Sequence, residues 1–408
     1  MMTVGSMDTS IPITSLRIWL AGSLFVLFQF FLQLSSGVVI GVIMHDMVLS
    51  ALTAGLLSSS FYIVYTILQI PVGILFDCKN PRPLLTVTAF ICSVGCILFA
   101  SSYSLIGLFF GRTLIGIGSS FAFVGLTHLI RQHYPARQFA FLIGLSETVG
   151  FLTTVLGIIG MGSLIIIFGW REFINSAGLV GLIIASLCWK YIPAAPKITR
   201  PLQHYGKQLS QILTSKKLWI NGLFIGLSFA LVTVFGALWA APFIQIKLAC
   251  SLRQASLINA MFFLGTGLSC PLFGVLASYF SRRKPLILSG CLLTTAVMLF
   301  VLFSPIKSIV VMSSLMFMLG LCCGSYILAY PISNELAPAN SLSTCTGFIN
   351  TLALITTPLL QPLIGYLLDL SSPEGLYKLV DYQYALLVMP GSLVVAAILA
   401  CFLPEKQQ

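Results

Sequence analysis

Long apolar runs recur from one end of the chain to the other, and they constrain its fold more than any other feature. Each run is long enough to cross the hydrocarbon core of a bilayer, which is about 30 Å thick and needs roughly 20 helical residues. Only 8% of the 408 residues are charged, against about 25% in a soluble domain. Charged or proline-rich breaks separate twelve runs, at residues 17–44, 50–75, 84–102, 104–128, 138–168, 172–192, 217–246, 254–280, 286–304, 308–331, 341–369 and 382–403. We number these runs span 1 to span 12 and predict an all-α membrane protein with twelve transmembrane helices in contact with the lipid bilayer.

The polar residues exclude several classes of protein. The net charge of +11 is not gathered on a polar domain, so we assign it to the membrane surface and predict no nucleic-acid partner. The 11 cysteines form no CxxC pair and no metal-ligand spacing. Gly116 and Gly118 begin a GxGxxG pattern, but Phe121 occupies the third glycine position. Neither HExxH nor GxSxG occurs in the sequence, and we expect no metal, no cofactor and no enzymatic activity.

Basic residues are divided unequally between the two sets of loops. One set, with the termini, carries 15 Lys and Arg residues, the other set carries 5, and one arginine lies within a span. By the positive-inside rule, both termini are predicted to be cytoplasmic. The long polar connection at 193–216 divides the chain into two halves of six spans, 1–192 and 217–408. Apolar residues at helical spacing from Leu202 to Leu213 favour an amphipathic helix on the membrane surface, with a disordered basic loop as the alternative.

The two halves contain a weak internal repeat. The segment GILFDCKNPR (73–82) follows span 2, and GVLASYFSRR (274–283) follows span 8, at an offset of 201 residues. At a slightly larger offset of 203, Glu147 in span 5 aligns with Asn350 in span 11. These matches indicate that the chain is a duplication of a six-span unit.

The two loops resemble the G-x-L-x-D-(x)4-R signature between helices 2 and 3 of the major facilitator superfamily. The resemblance implies two pseudo-symmetric six-helix halves, joined at the cytoplasmic side by a conformational latch. The latch residues that it implies are Gly73, Asp77, Arg82, Gly274 and Arg283. The sequence departs from the pattern at Cys78, Asn80 and Ser278, and Ser278 replaces the second aspartate. The first copy is therefore expected to carry more of the charge of the latch.

Further resemblances bear on function. RTLIGIG on span 4 is similar to the R-x-x-x-G-x-G pattern of the family, whereas span 5 lacks the antiporter pattern G-P-x-x-G-G. The sequences of spans 1, 2 and 4 also look like those of a bacterial branch of the family. That branch includes phagosomal nutrient transporters and is related to lysosomal dipeptide transporters. Many members of that branch have arginine at the position of Gln33. The resemblance implies a monomeric secondary transporter of the bacterial inner membrane.

The implied activity is proton symport of a small polar nutrient, with an amino acid or a dipeptide as the favoured substrate. An exporter or antiporter of a drug or metabolite is one alternative. A membrane receptor that transports nothing is an alternative from a different class.

Two charged residues lie deep within predicted spans. Glu147 is about nine residues, or about 14 Å, from the cytoplasmic start of span 5, and Arg112 is about eight residues, or about 12 Å, from the opposite start of span 4. A buried charge costs about 2.5–3.5 kcal/mol on insertion scales and is expected to face a partner or water. We expect Arg112 to pair with Glu147 or to bind a substrate carboxylate. Glu147 is the candidate for proton coupling, because coupling needs a group that can be charged or neutral. The alternative is that Arg112 bonds neighbouring carbonyls and that Glu147 is a neutral packing residue.

By analogy with the family, spans 1, 4, 7 and 10 are expected to line a cavity between the halves. The polar side chains predicted to contact substrate are Gln29, Gln33, Arg112, Thr233, Trp239, Tyr326, Tyr330 and, on span 11, Asn350. Tyr62, Tyr65 and Gln69 of span 2 are second choices.

Overall fold

The helices follow the apolar runs of the sequence. The computed structural model describes residues 13–34, 36–194, 205–279, 283–338, 342–372 and 376–404. Twelve helices within these ranges are long and apolar enough to cross a membrane. Spans 1 to 6 comprise Ile13–Leu34 with Ser36–Asp46, Ala51–Cys78, Pro81–Ser101, Leu105–Ser119 with Ala122–His133, Ala136–Phe168, and Trp170–Tyr191. Spans 7 to 12 comprise Lys216–Ala230 with Leu231–Trp239 and Ala240–Leu248, Leu252–Tyr279, Arg283–Phe303, Ile309–Cys323 with Gly324–Leu328 and Ala329–Leu336, Leu342–Ile355 with Thr357–Ser371, and Leu379–Ala385 with Val388–Ala400.

The twelve predicted spans are confirmed, although several helices extend beyond the apolar runs. Span 4 continues to His133 and span 10 continues to Leu336, five residues past each predicted end. The added turns contain polar residues such as Arg131 and Asn334. A helix can continue into the polar interface of the bilayer after its apolar pattern has stopped, so hydropathy alone places these ends too early.

The connection between the halves contains a short helix, Tyr205–Thr214. Within it Ile212 is buried and Leu213 is exposed. Residues 195–204, with Leu202 of the predicted amphipathic helix, lie outside the described residues. The side chain of Ser215 accepts a hydrogen bond from the backbone N–H of Leu218 and begins span 7.

Spans 4, 7, 10 and 11 are interrupted near their middles. Span 7 contains a π-helix of 9 residues, and span 10 contains a 3-10 helix of 5 residues. Neighbouring side chains bond the carbonyls of the π-helix: Asn259 Nδ2 donates to the carbonyl of Gly236 (2.9 Å), and Gln361 Nε2 donates to that of Thr233 (2.8 Å). Irregular backbone is tolerated at membrane depth where protein covers it or where it lines a cavity. The interruptions therefore indicate that the centre of the bundle is a candidate location for a binding site.

The two halves meet along spans 5 and 8 and along spans 2 and 11, which pack antiparallel. Small residues let the backbones approach closely: a Cβ atom at Gly347 would lie 2.5 Å from the carbonyl oxygen of Gln69, and one at Gly55 would lie 2.8 Å from that of Gln361. We call the contact of spans 2 and 11 the seam. One of its ends contains Asp77 and the start of span 11, and the other contains Asp369 and the start of span 2. We call these the Asp77 end and the Asp369 end, and the distribution of basic residues predicts that the Asp77 end is cytoplasmic.

Candidate functional site

Two cavities lie between the halves and share Glu147 and Tyr330 in their walls. The first has a volume of about 170 Å³, extends toward the Asp77 end, and also contacts Thr127 and Arg131. We call it the Arg131 cavity. The second has a volume of about 40 Å³, lies near the middle of the bundle, and also contacts Gln29. We call it the Gln29 cavity. Glu147 is therefore placed at the boundary between a central site and a space that leads toward one face.

The Gln29 cavity brings together several residues that the sequence predicts as substrate ligands. Its walls include Gln29, Gln33, Tyr330 and Asn350, together with Tyr65, which was a second choice. The side chain of Gln29 donates a hydrogen bond through Nε2 to Oε1 of Gln33. These residues come from spans 1, 2, 10 and 11, so the cavity belongs to both halves.

A chain of amides connects this cavity to the seam. Asn350 Nδ2 donates to Oε1 of Gln69 (3.1 Å), and Gln69 Nε2 donates to the carbonyl of Ser120 (3.0 Å). Ser120 lies where span 4 is interrupted. Spans 2, 4 and 11 are thus linked beside the cavity by two hydrogen bonds.

Glu147 is buried, with 8% of its surface exposed. Within the described part of the chain its carboxyl group has no hydrogen bond and no ion pair. Burial without a partner disfavours the charged form of a carboxyl group. A proton from one cavity, or a cation reaching it there, would be the natural partner for this group.

Arg112 lies in a different environment. It contacts neither cavity between the halves, and it lines a pocket of about 20 Å³ with residues of spans 1, 3, 4, 5 and 6. Its Nη1 donates to the carbonyl of Leu32 (3.0 Å), and its guanidinium carbon lies 4.9 Å from the ring centroid of Phe61. Leu32 is on span 1 of the same half.

The predicted ion pair between Arg112 and Glu147 does not form in this structure. Among the described residues one ion pair is present, and it joins Arg283 to Glu335. The physical reason is direction: Arg112 points into its own half, toward the carbonyl of Leu32 on span 1, whereas Glu147 faces the other half. Depth along a span carries no information about which face of the helix a side chain occupies.

Three other predicted ligands lie outside both cavities. Thr233 Oγ1 is hydrogen-bonded to Thr357 Oγ1 (2.6 Å), and the hydroxyl of Tyr326 lies 3.9 Å from the sulfur of Cys270. Trp239 is buried, and its indole Nε1 has no partner in the part of the chain that the structure describes. These side chains pack the C-terminal half in this conformation.

Some of the predicted latch residues contact the other half of the protein, and others contact their own half. Asp77 accepts a hydrogen bond from Thr344 Oγ1 of the other half (3.1 Å), and a Cβ atom at Gly73 would lie 2.9 Å from the carbonyl oxygen of Ser343. Arg82 instead stacks over Trp189 of its own half, 4.1 Å from the ring centroid.

The second copy of the loop makes fewer contacts with the other half. Arg283 forms its ion pair with Glu335 within the C-terminal half (3.2 Å). A Cβ atom at Gly274 would meet nothing within 4 Å. Among the predicted latch residues, Gly73 and Asp77 are the ones that the structure places in contact with the other half.

The sequence interpretation missed the polar side chains of the Arg131 cavity. Arg131 Nη1 donates to Ser343 Oγ (3.3 Å) and Nη2 donates to Thr346 Oγ1 (3.2 Å), both on span 11. A signal was available, because Thr127 and Arg131 are four residues apart on span 4, as are Tyr330 and Asn334 on span 10. The arginine was instead counted among the basic residues of the loops.

A second feature that the sequence interpretation did not predict is a set of hydrogen bonds at the Asp369 end of the seam. The carboxylate of Asp369 accepts hydrogen bonds from the backbone N–H groups of Ala51 (3.1 Å) and Leu52 (3.0 Å), at the start of span 2. The hydroxyl of Tyr377 donates to the same carboxylate (2.5 Å). Burial and this hydrogen bond raise the pKa of Tyr377 to about 12, so the hydroxyl stays protonated at physiological pH. A carboxylate at a helix N-terminus is electrostatically favourable.

Comparison with known proteins defines the class. The family model of the Major Facilitator Superfamily matches residues 19–353 and 223–408. The chain belongs to this superfamily and is a multi-pass integral membrane protein of the secondary transporter type. Among solved structures, a bacterial homologue of the human lysosomal transporter Spinster, inward-facing and unoccupied, has a TM-score of 0.73 at 18% identity and covers 96% of each chain. A mutant of the nucleoside transporter NupG has a TM-score of 0.72 at 14% identity, over 94% of this chain and 99% of that one. These two structures support the fold.

Curated relatives by sequence have more specific names. The "Probable galactarate/D-glucarate transporter GarP" of Escherichia coli K12 is 23% identical over 373 residues, which is 79% of this chain and 81% of that protein. The "Probable galactarate/D-glucarate transporter GudP" of Bacillus subtilis 168 is 23% identical over 88% of this chain and 85% of its own. The "Hexuronate transporter" of the same organism is 21% identical over 80% and 82%. The names describe those proteins as transporters of sugar acids.

Proposed function

We propose that the chain is a proton-coupled symporter of a sugar acid, a small hydroxylated carboxylate, and that Glu147 carries the proton. The observation that carries this proposal is the position of Glu147, buried and without a partner in the described residues, in the wall of both cavities between the halves. The names of the relatives favour sugar acids over the amino acid or dipeptide that the sequence resemblance favours. We further propose that the protein acts as a monomer in the bacterial inner membrane, with both termini cytoplasmic.

The coupling follows from electrostatics. An anionic substrate in the cavities would be repelled by an ionised Glu147, because like charges in a poorly solvated site destabilise one another. A proton on Glu147 removes that repulsion. Proton and anion are therefore expected to occupy the cavities together and to leave together, which is symport.

The movement follows from the arrangement of the two halves. Substrate sites of such transporters lie near the bilayer midplane between repeats that rock against each other. The seam of spans 2 and 11 bonds the halves at both ends, through Asp77 with Thr344 and through Asp369 with the start of span 2. In the proposed cycle, one end opens while the other stays bonded.

The test is proton entry into proteoliposomes that contain the purified protein and an internal pH dye. Galactarate, glucarate and a hexuronate are added one at a time, followed by pools of amino acids and of dipeptides. We expect acidification with at least one sugar acid and none with the other pools. Acidification by amino acids or dipeptides alone would reject the sugar-acid assignment, and substrate counterflow without any acidification would reject proton symport.

A further inference from the structure

Arg131 is a cation in the wall of a cavity, and its hydrogen-bond acceptors are neutral. Its two terminal nitrogens donate to the hydroxyl groups of Ser343 and Thr346, at 3.3 and 3.2 Å. The guanidinium carbon also lies 5.0 Å from the ring centroid of Phe139. No carboxylate of the described residues lies within ion-pair distance of it. Asp77, near the same end of the seam, is hydrogen-bonded to Thr344 and Ser343, and it interacts with Arg131 electrostatically without forming an ion pair.

Among the described residues, Arg131 therefore lacks the strongest interaction that an arginine can form, which is a hydrogen-bonded ion pair with a carboxylate. A guanidinium bonds a carboxylate through two parallel N–H groups at about 2.7–2.9 Å, and such bonds are roughly twice as strong as neutral ones. Nη1 and Nη2 of Arg131 are directed side by side at two separate hydroxyl groups, at longer distances. A carboxylate that entered the cavity could replace both hydroxyls with one acceptor group.

The rest of the Arg131 cavity is suited to a hydroxylated molecule. Its volume of about 170 Å³ is smaller than the roughly 300–1,000 Å³ of pockets for drug-sized ligands. Its walls contain hydroxyl and amide groups at Thr127, Tyr330 and Asn334, and Glu147 lies in the same wall. One cation, one carboxyl group and several neutral polar groups thus surround a small space.

We propose that Arg131 binds the carboxylate of the transported anion and gives up its bonds to Ser343 and Thr346 when it does so. Arg131 belongs to span 4 of the first half, whereas both hydroxyls belong to span 11 of the second half. Binding of the anion therefore removes two bonds between the halves at the Asp77 end. Arg131 selects for the negative charge of the substrate and releases one contact of the seam in the same step. The inference rests on the proposed transport of sugar acids.

The experiment compares a sugar acid with the polyol of the same chain length, in which CH2OH replaces the carboxylate. Both compete for counterflow of labelled sugar acid in proteoliposomes. For Arg131→Gln we expect the half-saturating concentration of the acid to rise about tenfold to a hundredfold, the loss expected for hydrogen bonds to a charged group, with little change for the polyol. Arg131→Lys should restore part of the preference, because lysine keeps the charge but not the paired donors.

Two further variants separate binding from a merely structural role. Ser343→Ala removes a competing hydroxyl that is not part of the cavity wall. It should lower the half-saturating concentration of the acid by about twofold to fivefold, the value of one neutral hydrogen bond. Arg253→Gln changes an exposed arginine near the start of span 8 and should leave the preference for the acid unchanged.

The outcomes distinguish the inference from the function on which it rests. If the wild-type protein exchanges no sugar acid, the proposed function fails and the inference fails with it. If the wild-type protein exchanges a sugar acid and Arg131→Gln keeps the wild-type preference for acid over polyol, the inference alone is overturned. If Arg131→Gln does not fold, a Ser343→Ala protein whose affinity for the acid is unchanged or weaker overturns it.

Discussion

The pocket of Arg112 and the cavities of Glu147 are two buried charged sites in adjacent spans, and they differ in what surrounds them. Arg112 is 5% exposed and Glu147 is 8% exposed, so burial does not separate them. Arg112 lies among spans of one half and donates to a carbonyl of that half. Glu147 lies between the halves and has no bond within the described residues. In the proposed cycle, position at the interface between the halves, rather than depth, separates the charge that we assign to coupling from the charge that we assign to packing.

The neighbours of Arg112 suggest a structural role. Two carbonyls of span 1 accept hydrogen bonds from side chains of other spans of the same half. Arg112 donates to Leu32, and the hydroxyl of Tyr62 donates to Gln33 (3.3 Å). We therefore assign Arg112 to packing within the N-terminal half and propose no substrate contact for it in this conformation.

The largest expected effect is that of Glu147→Gln. Glutamine keeps the shape of the side chain but cannot lose or gain a charge, so it should not couple transport to protons. A gradient of one pH unit supplies about 1.36 kcal/mol per proton, which corresponds to about tenfold accumulation. We expect the variant to lose this accumulation and to retain counterflow exchange of the sugar acid. Glu172→Gln, at the exposed start of span 6, is the control and should accumulate normally. Undiminished accumulation by Glu147→Gln would remove this residue from coupling.

The next effect in size is that of Arg112→Leu. It removes the charge-assisted bond to Leu32, which should cost about 1–3 kcal/mol of stability, less the penalty of burying Nε and Nη2, which have no partner among the described residues. The melting temperature of the detergent-solubilised protein should fall, while the half-saturating concentration for the folded fraction stays close to the wild-type value. A normal melting temperature with a large rise in that concentration would show that Arg112 binds substrate, and the contrast with Glu147 would then disappear.

A smaller effect is expected for Asp369→Asn at the far end of the seam. Asparagine keeps one acceptor oxygen, but it removes the negative charge from the start of span 2 and the bonds accepted by the other oxygen. The loss of a charge at a helix N-terminus is worth about 0.3–1 kcal/mol. We expect a modest decrease in melting temperature with proton coupling intact. Loss of coupling in this variant would show that Glu147 is not the sole acid on which coupling depends.

The smallest effect is expected for Tyr62→Phe. The variant loses the long hydrogen bond to the carbonyl of Gln33, worth about 0.5 kcal/mol at the low end of the usual range. Thermal unfolding should show a slight decrease, and transport should be unchanged. A loss of stability as great as that of Arg112→Leu would mean that the tyrosine stabilises this part of span 1 as much as the arginine does.

The same comparison explains how much the sequence could predict. The spans are predictable because hydrocarbon thickness imposes a length on every apolar run. The π-helix of span 7 is not, because side chains of Asn259 and Gln361 from other spans bond its carbonyls. Among the site residues, Gln29, Gln33, Tyr330 and Asn350 do meet at one cavity, as the inward faces of their helices suggest. The direction of Arg112 depends on packing within its half, and sequence spacing does not encode it.

The most direct measurement is simultaneous recording of proton entry and sugar-acid uptake in the same proteoliposomes, for the wild-type protein and for Glu147→Gln. With the wild-type protein, we predict that protons enter together with the sugar acid. With Glu147→Gln, we predict that labelled sugar acid still exchanges and that the internal pH stays constant. Acidification that accompanies sugar-acid uptake by Glu147→Gln at the wild-type ratio would contradict the assignment of the proton to this residue.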